Sequence, residues 1–157
     1  MSDIKKHLRS DVKAPKGAKI GIAVSKYNPE ITSKLLESCQ DELVVRGISL
    51  KNIYVVKVPG AFELPYACQE LAESKKYDAL IALGAVIRGE TPHFDFIANA
   101  TTHGIMDTSL KYKMPVAFGV LTTNNLKQAK DRVQGGKKGD KGKEAALTAL
   151  KMINLNF

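Results

Sequence analysis

The sequence predicts an α/β protein, a three-layer sandwich with helices on both faces of a four-stranded parallel sheet. Three observations carry that prediction. Short apolar runs alternate with segments of helical periodicity four times along the 157 residues, the pattern of repeated strand–helix–strand crossovers. The run from Ala79 to Ala85 is apolar on both faces, as a strand buried between two helical layers must be. Polar and aromatic residues gather directly after three of the strands, and open parallel sheets bind ligands outside the carboxyl ends of their strands.

Met1 to Lys16 is charged and ends near Pro15, so an N-terminal arm is expected over residues 1–18 and a single domain over 19–157. The first strand is KIGIAV, Lys19 to Val24. The loop SKYN leads to Pro29, which suits a first helical position because it lacks the N–H that would go unpaired there, with Asn28 as N-cap. Ile31, Leu35, Cys39 and Leu43 recur four apart and mark one buried face, and Gly47 is the stop. The second strand, Ile53 to Val58, breaks at Pro59-Gly60 and passes through Ala61-Phe62-Glu63 into a helix. Pro65 must then fall in that helix's first turn, and Leu64, Ala67, Cys68, Leu71 and Ala72 form its inner stripe. After the third strand a longer helix begins near Pro92 or His93, with Ile97, Ala98, Thr101, Ile105 and Leu110 on helical spacing. The fourth strand is Val116 to Leu121; Thr122-Thr123-Asn124 caps a short helix through Arg132, and QGGKKGDKG leads to a last helix from Lys143 to Asn154. Right-handed crossovers leave few topologies for such a chain, and the flavodoxin-like order is expected.

Hydrophobic residues make up 44% and charged residues 25%, an ordinary balance for a soluble globular domain of a size that needs no staples. No apolar run approaches the ~20 residues that span a bilayer. The N-terminus has no apolar stretch of the secretory kind, so no membrane and a cytoplasmic location are expected. Cys39 and Cys68 lie in helical segments without metal-like spacing and read as reduced core thiols. His7, His93 and His103 are too scattered to suggest a metal site, and none is expected. The net charge of +8 suits an anionic partner. Much of the excess sits at the N-terminus and in Lys137 to Lys143, with no zinc-finger or aromatic RNA-binding signature. A small phosphorylated ligand accounts for the charge at least as well, and no nucleic acid is expected.

Lys26-Tyr27-Asn28, Phe62-Glu63 and Arg88 to His93 follow three strands and should share one edge of the sheet. Two aromatics, a carboxylate and an imidazole suffice to hold a flat polar ring and to move protons. Plain packing for Tyr27 and Phe62, and a first-turn helix charge for Glu63, are the blander readings. No GxGxxG or Walker loop follows the first strand, which argues against a dinucleotide or nucleoside triphosphate. GAVIRGETPH places the amides of Ala85 to Ile87 and of Glu90 and Thr91 around a turn entering a helix, where anions bind. Equally, Gly84 and Gly89 simply make that turn. His93 at the helix start suits a general base or proton shuttle, since imidazole titrates near neutrality. Arg132 is either a phosphate grip or a solvated arginine at a helix end.

The segments SKYNPEITSKLL (Ser25 to Leu36), VPGAFELP (Val58 to Pro65), GAVIRGETPHFDF (Gly84 to Phe96) and PVAFGVLTT (Pro115 to Thr123), with the Arg132 to Glu144 region, closely resemble the lumazine synthase family. The resemblance covers most of the chain from Lys19 onward, in the right order. It implies a transferase of riboflavin biosynthesis, acting at the penultimate step. The reaction condenses 5-amino-6-(D-ribitylamino)uracil with 3,4-dihydroxy-2-butanone 4-phosphate to give 6,7-dimethyl-8-ribityllumazine, phosphate and water. By the same resemblance His93 is the proton-transfer residue and Tyr27 stacks on the pyrimidine. Ala61, Phe62 and Glu63 hold the ribityl side, while Ala85, Val86 and Ile87 present backbone to the ring. Glu90 and Thr91 offer amides to the phosphate. Phe118 and Arg132 come from an adjacent subunit, and Lys141 and Glu144 support them. No cofactor is implied, because every atom of the new ring comes from the substrates. A homopentamer is implied, alone or as part of a decamer or 60-mer. Two departures stand out: Tyr27 replaces the family's usual Phe or Trp, and the loop VQGGKKGDKG is one residue longer than in many capsid-forming members. A non-catalytic flavin-binding oligomer is the alternative, but it would not need Arg132 and His93 together.

Overall fold

The computed structural model describes residues 11–157. Among them four parallel strands, β1 (Ile20–Ser25), β2 (Ile53–Val58), β3 (Ala79–Ile87) and β4 (Val116–Thr123), form one sheet in the order β2-β1-β3-β4. The helices are α1 (Pro29–Val45), α2 (Leu64–Glu73), α3 (His93–Tyr112), α4 (Leu126–Lys130) and α5 (Lys141–Ile153). This is the expected flavodoxin-like sandwich. The chain leaves β1 for one edge of the sheet and returns to β3 on β1's other side. The turns after β1 and β3 therefore diverge, and a crevice opens between them.

Side chains alternate across each strand, so one strand feeds two cores. Ile20, Ile22 and Val24 of β1 meet Ile31, Leu35, Cys39 and Leu43 of α1 and Ala146 and Leu150 of α5. Ala23 of β1 and Leu80, Ala82 and Val86 of β3 face the other way, onto Leu64, Ala67, Cys68 and Leu71 of α2 and Ile105 of α3. The expected inner stripes of α1 and α2 are thus the buried ones. Cys39 and Cys68 are both free thiols in these cores. Among the described residues, no helix is long and apolar enough to cross a membrane.

Several boundaries differ from expectation, each for a local reason. β1 is shifted by one residue, to Ile20–Ser25. β3 and β4 both run two residues beyond Ala85 and Leu121 because they continue to pair, Val86 with Thr122 and Ile87 with Thr123. The cap of α4 is Asn125 rather than Asn124, its side chain accepting from the Gln128 amide at 2.9 Å. That helix ends at Lys130, so Arg132 lies in the following turn. The last helix starts at Lys141, two residues early, because the Asp140 carboxylate accepts from the Lys143 amide at 3.1 Å. Leu110 is exposed while Thr101, Ile105 and Thr108 form the buried line of α3. Leu110 stands two residues past Thr108, about 200° around the helix and away from α2.

Of the expected arm, residues 1–10 lie outside the described residues. Beyond them, Val12 and Ala14 pack against the α1–α5 core. The Ala14 amide donates to the Arg46 carbonyl at 2.8 Å, and Asn154 Nδ2 donates to the Lys13 carbonyl at 3.0 Å.

Candidate active site

β1 passes into α1 through Lys26, Tyr27 and Asn28. The Lys26 amide donates to the Val58 carbonyl at 2.8 Å and the Tyr27 amide to the Pro59 carbonyl at 3.1 Å. These bonds draw the end of β2 alongside. Asn28 adopts a left-handed conformation, φ 61° and ψ 58°, which asparagine tolerates better than most residues. Its side chain does not cap α1. Instead Nδ2 donates to the Ala85 carbonyl at 3.0 Å, pinning the turn after β1 to the end of β3. Tyr27 beside it is 73% exposed, available to a ligand rather than committed to the core.

At the end of β2, Glu63 closes the short 3-10 turn Ala61–Glu63 by accepting the Gly60 amide on Oε2 at 3.1 Å. Glu63 thus has a local structural role through Oε2, while Oε1 makes no hydrogen bond among the described residues. Phe62, within that turn, is 59% exposed.

β3 outruns its neighbour β1. Their pairing ends at Val24 with Leu83, whereas pairing with β4 continues to Ile87. Among the described residues, the β1-facing edge from Gly84 to Ile87 has no strand beside it. Ala85 and Ile87 accordingly offer backbone from a strand edge, not from the turn that the sequence suggested. Val86 between them turns its backbone toward β4, as the Arg88 amide does. Gly84 lets this floor close: a Cβ there would sit 2.9 Å from Ser25 Oγ and 3.0 Å from Leu64 Cδ1.

The loop that follows carries Gly89, Glu90 and Thr91, all exposed, and their amides donate to no backbone carbonyl among the described residues. Thr91 Oγ1 accepts from the His93 amide at 3.4 Å. His93 opens α3 and is itself exposed.

These pieces enclose one cavity of about 560 Å³, a size typical of small-molecule sites. Tyr27, Ala61, Phe62 and Glu63 line it together with Ala85, Val86 and Ile87, and Thr91 and His93 line it from the loop. Asn28, Gly60, Gly89, Phe94 and Ile97 complete the lining; Asn28 and Gly89 fall in the polar stretches singled out from the sequence, but none of the five had been assigned a binding role. Asn28 is the instructive omission. An asparagine before Pro29 reads as a helix cap, and no local signal says that its amide reaches a carbonyl 57 residues away.

Glu90, Phe118, Arg132, Lys141 and Glu144 do not line this cavity. Glu90 stands on the exposed loop beside it, and Phe118 on β4 is 45% exposed. The other three gather at the start of α5. Arg132 donates from Nη1 to the Gln128 carbonyl, its own carbonyl accepts from the Lys141 amide, both at 2.9 Å, and Lys141 Nζ pairs with Glu144 Oε2 at 2.6 Å.

The chain has clear relatives. Residues 17–156 match the family model described as 6,7-dimethyl-8-ribityllumazine synthase. It is 48% identical over 137 residues to the protein of that name from Parabacteroides distasonis, spanning 87% of this chain and 85% of that one. To the like-named protein of Protochlamydia amoebophila it is 50% identical over 138 residues, 88% of this chain and 80% of the relative. With a match of that length, and a crevice where its sheet order reverses, the chain belongs to the 6,7-dimethyl-8-ribityllumazine synthase family.

Proposed function

We propose that the cavity between the ends of β1 and β3 is where this chain carries out the family's reaction. There it condenses 5-amino-6-(D-ribitylamino)uracil with 3,4-dihydroxy-2-butanone 4-phosphate into 6,7-dimethyl-8-ribityllumazine. One observation supports this above the rest: two exposed aromatics, an open strand edge and a histidine share a single cavity.

The parts have separate tasks. Tyr27 and Phe62 offer faces for a flat ring. The backbone of Ala85 and Ile87 meets the ring's polar edge, since each unpaired N–H or C=O on that strand edge seeks a partner. Glu63 Oε1 accepts from ribityl hydroxyls. The amides of Glu90 and Thr91, just before the positive end of α3, take the phosphate. An amine of the pyrimidine attacks the ketone carbon, and loss of water gives a Schiff base. Removal of the proton from the carbon beside the phosphate-bearing one expels phosphate, and the enol left behind is protonated on carbon to a methyl ketone. Attack by the second nitrogen on that ketone closes the ring with loss of another water. These steps move protons on and off nitrogen, oxygen and carbon, and His93, on the wall of the cavity, is the group to relay them. Holding two reactants in one crevice supplies much of the acceleration.

Phe118 and Arg132 complete the pocket of a neighbouring subunit in this reading, with Lys141 and Glu144 steadying Arg132. Neither Phe118 nor Arg132 reaches its own chain's cavity, which supports sites shared between subunits, as in the homopentamer that the family resemblance implies. Two small soluble substrates suit a cytoplasmic enzyme. The test is to mix both substrates with purified protein and follow lumazine formation by absorbance and fluorescence. Product at a rate above the uncatalysed mixture is expected; tight flavin binding without turnover would overturn the proposal.

A further inference from the structure

Arg88 does not line the cavity, yet its guanidinium is engaged on every side. Nη1 and Nη2 donate to the two Asp95 carboxylate oxygens, each at 3.2 Å, and Nε donates to Asn124 Oδ1 at 3.2 Å. The guanidinium carbon lies 4.3 Å from the centre of the Phe94 ring, which does line the cavity. The Arg88 amide donates to the Thr123 carbonyl at 2.9 Å. One residue thus joins the end of β3, the turn after β4 and the first turn of α3.

Between Arg88 and Asp95 lies the loop Gly89 to His93. All five of its residues are exposed, and its first three amides have no backbone partner among the described residues. Left alone, such a segment samples many conformations. The Arg88–Asp95 fork closes it into a short ring, and the guanidinium sits over the Phe94 ring. Only a planar guanidinium can make paired bonds to a carboxylate, a third bond to Asn124 and a stacking contact together. The side chains of Arg88 and Asp95 remain 42% and 52% exposed, so the pair adds little to global stability. Its effect is on the shape of the loop.

We propose that Arg88, anchored by Asp95 and Asn124, is a positioning residue that holds the Gly89 to His93 loop in the form that receives the phosphorylated substrate. This rests on the reading of Glu90, Thr91 and His93 given above. A direct role as the phosphate's cation fits less well, because the guanidinium fork is already matched by a carboxylate. Asp95→Asn separates the two roles. Freeing a direct cation would tighten binding of the butanone phosphate, whereas opening a clamp weakens it.

The experiment is steady-state kinetics on wild type, His93→Ala, Arg88→Lys and Asp95→Asn, with melting temperatures. For both Arg88→Lys and Asp95→Asn the expected result is a KM for the butanone phosphate raised about tenfold and a lowered kcat. The KM for ribitylaminouracil and the melting temperature should stay near wild type. A lower KM for the phosphate in Asp95→Asn, or equal losses toward both substrates with a reduced melting temperature, overturns the clamp. If wild type turns over and His93→Ala is slowed while Arg88→Lys and Asp95→Asn match wild type, the clamp alone fails. If wild type forms no lumazine, the active-site reading falls first.

Discussion

At the scale of single residues, location decides what a side chain is for. His93 would be unremarkable on an exposed helix face, but it opens α3 beside three amides with no backbone partner among the described residues, and it lines the cavity. Because proximity carries much of the reaction, His93→Ala should lower kcat by about 10–100-fold while leaving ribitylaminouracil binding intact. Stopped-flow binding and turnover measured on one preparation check both halves; loss of binding would make His93 structural. The thiols of Cys39 and Cys68 are shaped by burial instead, which pushes both from 9.0 to about 12, with the charge of Asp140 adding at Cys39. A thiol raised in the folded state stays protonated after the unfolded chain ionises. Its stabilising contribution is therefore complete below about pH 9 and is lost as pH rises toward 12. Denaturant titrations should show stability falling across that window, and alkylation of either cysteine at pH 8.5 should require unfolding.

Among elements, the contact of α1 with α5 sets a sharp constraint. Gly142, in the first turn of α5, has no room for a side chain: a Cβ would collide with the Leu35 carbonyl and the Ser38 hydroxyl of α1. The same corner holds the 2.8 Å hydrogen bond from Ser38 to Asp140, the residue that caps α5. Two effects oppose one another in Gly142→Ala. Helix propensity would favour alanine by about 1 kcal/mol, whereas forcing atoms into a packed interface costs about 1–3 kcal/mol. The steric cost should win here, because one of the clashing atoms is backbone. A net loss of stability in urea unfolding is expected, and a gain would mean that α5 shifts freely. Helix stripes were legible because Ile31, Leu35, Cys39 and Leu43 repeat at a helical period. The lengths of β3 and β4 were not, since their last two pairs depend on one strand meeting the other.

For the whole molecule, the division of the site residues into two groups is the main consequence. Tyr27, Phe62 and His93 meet in one cavity, while Arg132, Lys141 and Glu144 form a separate cluster on the same chain. If neighbours share sites, two inactive variants can repair one another. His93→Ala and Arg132→Ala subunits, unfolded and refolded together, should form some cavities with His93 and Arg132 both intact and regain part of the activity missing from either alone. No recovery in verified mixed assemblies would leave Arg132 with only its local bonds in the turn before α5. Native mass measurement on the wild type should give a pentamer or a multiple of it.

The order of strands and helices, the buried stripes of α1 and α2 and the three polar stretches at strand ends were determined by local sequence, because periodicity and turn chemistry act over a few residues. Family likeness could be recognised at the same level. Tertiary structure alone decided that Asn28 bonds Ala85 rather than capping its helix, that β3 projects past β1 to leave an open edge, and that Arg88 forks onto Asp95. Those contacts depend on how far each strand extends and on which turns come face to face. Such distances are set only when the layers pack.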